Sequence, residues 1–445
     1  MGEINPRNPV LDGTAIRIEP ETILPVTRQT PRPAGWLRFE TGWLGPNQAL
    51  QNLETATSLL QVLSKGLDAL KEDMNEGIIL LHNAWNQSDR SGKPSMEVDR
   101  QLSHRLGLIE EGVRECRFHG RGLLDGQSGV VGHGEGVDFI RGGPNTQDSP
   151  MEGFDVRITA FPTRAMLTGG VPVHENWLEA EAEIFLAEGD RFVRFVPNGK
   201  TTIAEFLDDL QKAITMAGLD LEVGLTRQRR LQVKHNQFGS HFKFKGCSRT
   251  TPLLAARPGR VEWSQKGQDI QGTLQGEPAF GVGRMLVGFL DNAQTSELAV
   301  VWRGESLSHG NLARCYVVQN GLQFQVGNGP QRNLRKISLP SFYRDAMGGW
   351  LETRSGFRSM AELRARTWQE VFDAMQVLFA VSCEVDEWRD KTRNWVQQYQ
   401  NLALEVLRNE AAVAPEDGAI ANEDQTVAQM AVVMRKMLAR KPMVV

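Results

Sequence analysis

Two long amphipathic stretches, one near each end of the chain, limit what this sequence can fold into. The first runs from about Asn47 to Trp85 and carries Leu50, Leu53, Ala56, Leu60, Leu63, Leu67, Leu70, Met74, Ile78 and Leu81 on one stripe. The second runs from about Thr367 to Leu407 and carries Trp368, Phe372, Met375, Phe379, Trp388 and Trp395. Steps of three and four keep one helical face apolar. At about 1.5 Å per residue each helix is roughly 55 to 60 Å long, where an average globular helix has about 11 or 12 residues. Stripes of matching length from opposite ends predict an antiparallel, coiled-coil-like rod in which each helix covers the other. The expected rod core is Leu60, Leu63, Leu67, Leu70 and Met74 against Phe372, Met375, Phe379, Trp388 and Trp395.

Between these stretches the pattern changes twice. Asn86 to Pro94 reads as a loop, and a second helix from about Ser95 to Arg117 carries Val98, Leu102, Leu106, Ile109 and Val113. A loop this short predicts a helical hairpin. From about 127 to 335 glycine is frequent and strand-like alternation appears, as in Phe154, Val156 and Ile158. Thr202 and Glu205 have capping-box spacing, which predicts a helix using Phe206, Leu210 and Ile214 and closing at Gly218. Leu219, Leu221, Val223 and Leu225 then read as a strand. After Pro340 a shorter amphipathic segment is expected to run to about Arg366. Thr367 and Glu370 form a second capping box at the start of the long C-terminal helix. Residues 411–418 break that helix, and a short one follows from about Glu423 to Leu438.

The first 46 residues hold Pro6, Pro9, Pro20, Pro25, Pro31 and Pro33 besides Pro46, and each fixes φ and removes a backbone donor. They read as an extended arm, with Trp36, Phe39 and Trp43 as apolar anchors for a partner or for the chain's own rod.

Composition excludes several functions. The net charge of −4 provides no overall field for nucleic acid. No apolar run reaches the roughly 18 residues that span a bilayer. The opening MGEINPRNPVLDG lacks the basic-then-apolar order of a cleaved signal, so export would use another route. Cys116, Cys247, Cys315 and Cys383 form no CxxC pair and read as free thiols, although spacing leaves one disulfide open. Gly126, Gly129, Gly132, Gly134 and Gly136 lack the strand-then-helix context of a phosphate loop and read as a flexible connector. Neither Cys116 with His119 nor His235, His241 and Cys247 supplies four ligands at zinc spacing. No GxSxG or HExxH occurs. The expectation is no enzyme, no cofactor and no metal.

Several stretches resemble bacterial flagellins and the related hook–filament junction proteins. Arg117-Phe118-His119-Gly120-Arg121-Gly122-Leu123-Leu124-Asp125-Gly126 is similar to the family's Phe-Asn-Gly followed by Leu-Leu-Asp-Gly. Val137–Gly143 and Leu322–Asn328 each resemble its Phe-Gln-Val-Gly-Ala-Asn element. Residues 201–244 look like its small inserted helix-and-strand module, and Ile337–Ser341 like its return into the C-terminal rod. Ile420–Asp424 is similar to its late Ile-x-Asp-x-Asp pattern. The matches follow the family's order over roughly residues 50 to 440.

The residue patterns together with the resemblance give an expected α+β fold in five parts. These are a proline-rich arm (1–46), the N-terminal rod half (47–126) and an inserted β-rich outer domain (127–335) with an αβ module at about 201–245. The C-terminal rod half (336–410) and a break with a short helix (411–445) follow. The resemblance further implies type III export to an extracellular flagellum or flagellum-associated appendage. The subunit would be structural, packing laterally as a homo-oligomer or with other flagellar proteins, with no nucleic-acid partner and no membrane insertion. The sequence departs from the family where prolines replace the first core helix and where little length remains for the last one. Rival expectations are an adhesin that uses the β-rich domain on a helical stalk, and an enzyme built into the outer domain.

Overall fold

The computed structural model describes residues 46–86, 92–174, 183–197, 202–304, 312–326 and 334–413. The anchors Trp36, Phe39 and Trp43, the short helix expected at 423–438 and the Ile420–Asp424 pattern all lie outside these residues. The fold is mixed helix and sheet, and every strand pairing is antiparallel.

Helix α1 spans Pro46–Trp85 and α2 spans Met96–Glu115. Helix α4 spans Trp368–Val413. Along α1 one buried stripe runs through Leu53, Ala56, Leu60, Leu63, Leu67, Leu70, Met74, Gly77, Leu81 and Ala84 with steps of three and four in strict alternation, while Ala49, Asn52, Thr57 and Leu59 are buried besides. Along α4 the same alternation runs through Val371, Ala374, Leu378, Val381, Val385, Trp388 and Thr392. A repeat of seven keeps one seam facing a partner helix. The partners are antiparallel: Trp85 packs against Phe372 at 5.4 Å, Gly77 faces Leu378, and Arg389 Nε donates to Asp68 at 2.7 Å. Helix α2 runs back along α1, with Arg105 paired to Glu76 and the Cys116 thiol against the Val62 carbonyl.

Two expectations on these helices are corrected. Phe379, placed in the rod core from its spacing, is 61% exposed. It lies one residue past buried Leu378, which turns it about 100° off the seam. The seam uses small residues instead, Ala374 and Val381 among them. Met375 and Trp395 are half-buried at its flanks. Second, the segment expected to be helical to about Arg366 holds only a 3₁₀ turn at Met360–Glu362. Gly348 (φ 81°) and Gly356 (φ 75°) turn the chain there into a left-handed conformation that a helix excludes.

The largest sheet has eight strands in the order β3-β17-β5-β13-β14-β15-β16-β4. Its strands are β3 (Val130–Glu135), β4 (Val137–Arg141), β5 (Phe154–Ala160), β13 (Gln271–Leu274), β14 (Glu277–Val282), β15 (Met285–Gly288), β16 (Ala299–Trp302) and β17 (Leu312–Gln319). The two edge strands β3 and β4 are consecutive in sequence, joined at Gly136. A Cβ on Gly134 would lie 2.1 Å from the Val137 carbonyl oxygen, and one on Gly132 would lie 2.9 Å from the Phe139 ring. The two edges approach each other at this turn, with no backbone pairing between them, and the sheet curls as a barrel around Phe154, Val156, Ile158, Leu286 and Val300. The middle of the glycine-rich stretch read as a flexible connector is thus strand β3, where Gly132 and Gly134 allow close approach.

A second module lies between β5 and β13 in sequence. It holds β6 (Arg164–Pro172), β7 (Ile184–Glu188), β8 (Arg191–Phe195), α3 (Ile203–Met216), β9 (Leu221–Leu225), β10 (Arg230–Phe238), β11 (Lys245–Ser248) and β12 (Glu262–Trp263). Its sheets are ordered β6-β10-β9 and β12-β11-β7-β8. Thr202 and Glu205 close the capping box, with Glu205 Oε2 accepting from the Thr202 N–H at 2.9 Å. Phe206, Leu210 and Ile214 then enter a core shared with both sheets. Two short hairpins complete the fold: β1 (Arg117–Phe118) with β2 (Arg121–Gly122), and β18 (Leu322–Gln325) with β19 (Leu334–Ile337).

Candidate functional site

Where α1, α2 and α4 meet the barrel, the chain crosses twice within a few ångströms. After α2 it turns through β1 and β2, with His119 (φ 50°) and Gly120 (φ 81°) at the corner, and buries Leu123 and Leu124 completely. The returning strand runs beside it. The Phe342 N–H donates to the Leu124 carbonyl at 2.7 Å, Asp125 bridges Ser341, and the Leu339 N–H donates to the Ser128 carbonyl at 3.0 Å. A Cβ on Gly129 would lie 1.9 Å from the Leu339 oxygen, so glycine is required there. Ser338 ties in β4: its hydroxyl donates to the Gly142 carbonyl at 3.1 Å and accepts from the Val130 N–H at 3.2 Å.

The β18–β19 hairpin lies on the helices beside this crossing. The Asn52 amide donates to the Gln325 carbonyl at 2.8 Å, and the Phe324 ring meets Tyr399 edge-on at 6.3 Å. Burial pushes the Tyr399 phenol up to about 12, against a smaller opposing pull from Arg335. Thus Arg117–Gly126, Val137–Gly143, Ile337–Ser341 and the described part of Leu322–Asn328 converge on one junction.

Of the residues expected in the rod core, Leu60, Leu63, Leu67, Leu70, Met74, Phe372 and Trp388 are buried along the α1–α4 seam. A chain of opposite charges flanks that seam. Lys71 pairs with Asp386 and donates to the Ser382 hydroxyl at 2.7 Å, while Arg389 bridges Asp386 and Asp68. Burial alone would raise the Asp386 carboxyl, but the bonds from Lys71 and Arg389 outweigh it and hold the group below its usual range.

A second contact, between the α3 module and the start of α4, gave no sequence signal. The Thr215 hydroxyl donates to the Gln369 side chain at 2.8 Å. That amide donates to Asp373 at 2.9 Å, and the Ser355 N–H donates to the other Asp373 oxygen at 2.7 Å. Behind it, His235 is 1% exposed; its Nδ1 accepts from the Gln237 N–H, so its proton lies on Nε2, facing Glu188 at 2.9 Å. Asn236 and Gln237 donate to buried Asp220. Burial raises both Asp220 and Asp373 above the ordinary carboxylate range, although their hydrogen bonds oppose it. Charge-bearing residues of three distant segments satisfy one another here, which single-sequence spacing cannot display.

Among the described residues no group of His, Cys, Asp or Glu could hold a metal ion. All four cysteines are free thiols; Cys116 and Cys315 are buried, and burial pushes them up to about 11 and about 12. Asp208 and Asp209 pair with Lys212 on the surface of α3. No described helix is long and apolar enough to cross a membrane.

No protein-family model matches the chain, and no curated protein matches its sequence. Among the solved structures similar to parts of it are three flagellar proteins. The flagellar cap protein FliD from Escherichia coli shares 12% identity over 44% of this chain, with a TM-score of 0.29; the chain spans 59% of that protein's length. FliD from Pseudomonas aeruginosa shares 10% identity over 43% of this chain and 83% of its own, with a TM-score of 0.25. FliC from Burkholderia pseudomallei shares 13% identity over 77% of this chain and 99% of its own, with a TM-score of 0.29. Scores this low do not establish a shared fold or role.

Proposed function

We propose that the chain is a structural subunit of the bacterial flagellar filament or of a fibril or sheath beside it. Its rod, formed by α1 and α4 with α2 alongside, packs laterally against other rods and carries the barrel and the α3 module outward. The observation that supports this best is the convergence of four flagellin-like stretches on one junction, where the chain leaves and re-enters the helices side by side. Such a crossing lets a large insertion be carried without separating the helices that flank it. The division into arm (1–46), rod halves (47–126 and 336–410) and inserted domain (127–335) belongs to the same proposal. On this reading, shearing the source cells' appendages releases the chain with the filament fraction, and blocking flagellar export retains it inside. Recovery only from the cytosol of export-competent cells would sink the reading. The stalked adhesin is a second reading, favoured by the exposed aromatic sheet face described next.

A further inference from the structure

We propose that the outward face of the sheet β12-β11-β7-β8 binds an acidic polysaccharide. This rests on that sheet alone and holds whether or not the subunits assemble. The register fixes the face. Lys245 pairs with Trp263 and with Ala187, and Ala187 pairs with Phe192, so these four stand in one row. Cys247, Phe185 and Arg194 form the next row on the same side. The alternate residues Leu186 and Val193 point the other way into the core. Core packing therefore does not require the outward aromatics, yet Trp263 is 61% exposed and Phe192 is 64% exposed.

Charge marks the same face. The Lys243 and Lys245 ammonium groups lie 5.3 Å and 5.8 Å from the centre of the Trp263 ring. Arg194 and Arg249 stand at the other end, both paired with Glu183. Between Lys243 and Trp263, the segment that carries β11 and β12, the sequence holds five Lys or Arg and one Glu, in a chain whose net charge is −4. This local excess points to a negatively charged partner that the molecule as a whole does not select.

The shape narrows the partner. The face is the open side of a four-stranded sheet rather than a cavity. Three strand spacings of about 4.8 Å separate the Trp263 and Phe192 strands, which suits a short run of polymer. A sugar ring lays its C–H face on an aromatic ring, and its carboxylate takes the lysine that otherwise rests over the indole. Nucleic acid fits less well. Its phosphates are matched by the bidentate fork of arginine, and here both arginines already hold Glu183 while the cations beside Trp263 are lysines. Its denser charge also meets more repulsion from the rest of an acidic chain.

The test is calorimetric titration of the full chain with a galacturonate hexamer, a neutral cellohexaose and an oligo-dT of similar length. The galacturonate is expected to bind at low salt and to weaken as salt rises, with cellohexaose at least about tenfold weaker, a difference of about 1.4 kcal/mol. Trp263→Ala should weaken galacturonate binding by a similar factor, Trp263→Phe should restore part of it, and Lys243→Glu with Lys245→Glu should abolish it. All variants should keep the parent melting temperature, since these side chains are outside the core. The proposal is overturned by no galacturonate binding at low salt, by equal binding of cellohexaose, or by tighter binding of oligo-dT. Indifference to both the Trp263 and the lysine substitutions overturns it as well.

Discussion

Asp373 is fully enclosed on α4, and burial raises its carboxyl although Ser355 and Gln369 donate to it. A carboxyl raised on folding holds its proton more tightly in the folded chain. The stability this supplies is complete below the ordinary value of about 4 and is lost as pH rises through the raised one. Asp373→Asn removes that loss, so melting temperature should fall less between about pH 4 and about pH 7 than in the parent. An unchanged profile would show that Asp373 does not titrate in this way. Asp373→Ala leaves the Ser355 N–H and the Gln369 amide unpaired and should cost about 1–3 kcal/mol. The seam offers a second contrast between single residues. Leu67 is 0% exposed and Phe379 is 61% exposed. Leu67→Asp buries a charge without a partner and should destabilise by several kcal/mol, whereas Phe379→Asp should stay within about 0.5 kcal/mol. Equal effects in thermal denaturation would contradict the assigned seam.

Among the elements, the long helices were the most legible part of the sequence, because a repeat of three and four survives any local exception. Their facing residues were less so. Phe372 and Phe379 look equivalent when large apolar residues are counted, but Ala374, Leu378 and Val381 occupy the seam, and small residues leave a weak signal. The capping boxes at Thr202 and Thr367 were readable because each is local; Glu370 and Thr367 exchange bonds at 3.1 Å as the spacing implied. The barrel was not readable. Its closure depends on β3 meeting β4 across Gly136 and on β17 pairing with both β3 and β5, contacts that no local period encodes. The junction was half legible: its stretches could be marked by resemblance, but their adjacency appears only in three dimensions. Gly134 tests the closure. An added methyl must displace the Val137 carbonyl, so Gly134→Ala should destabilise the barrel by more than the roughly 1 kcal/mol that alanine in place of glycine gains elsewhere. Gly107, whose Cβ would meet nothing, is the control. Lowered thermal stability is expected for Gly134→Ala and raised or equal stability for Gly107→Ala. The reverse order would mean the edges do not meet.

For the whole molecule, the account holds that paired helices carry an inserted barrel and module and that such units pack side by side. By sequence alone, Pro6, Pro9, Pro20, Pro25, Pro31 and Pro33 would divide the arm 1–46 into pieces too short for a stable helix, each interior proline costing about 3 kcal/mol. The proposed function gives this arm a docking role, with Trp36, Phe39 and Trp43 as the anchors it would use. Deleting residues 1–46 should leave helicity and melting temperature unchanged while fibre formation or docking is lost. The most direct measurement is cryo-microscopy of the full-length chain brought to assemble, alone or on filaments from its source. The account predicts ordered arrays in which the α1–α4 pairs lie alongside one another with the barrel and the α3 module outward. A chain that stays monomeric under all such conditions would contradict it, as would a fibre whose inner tube is built from residues 1–46.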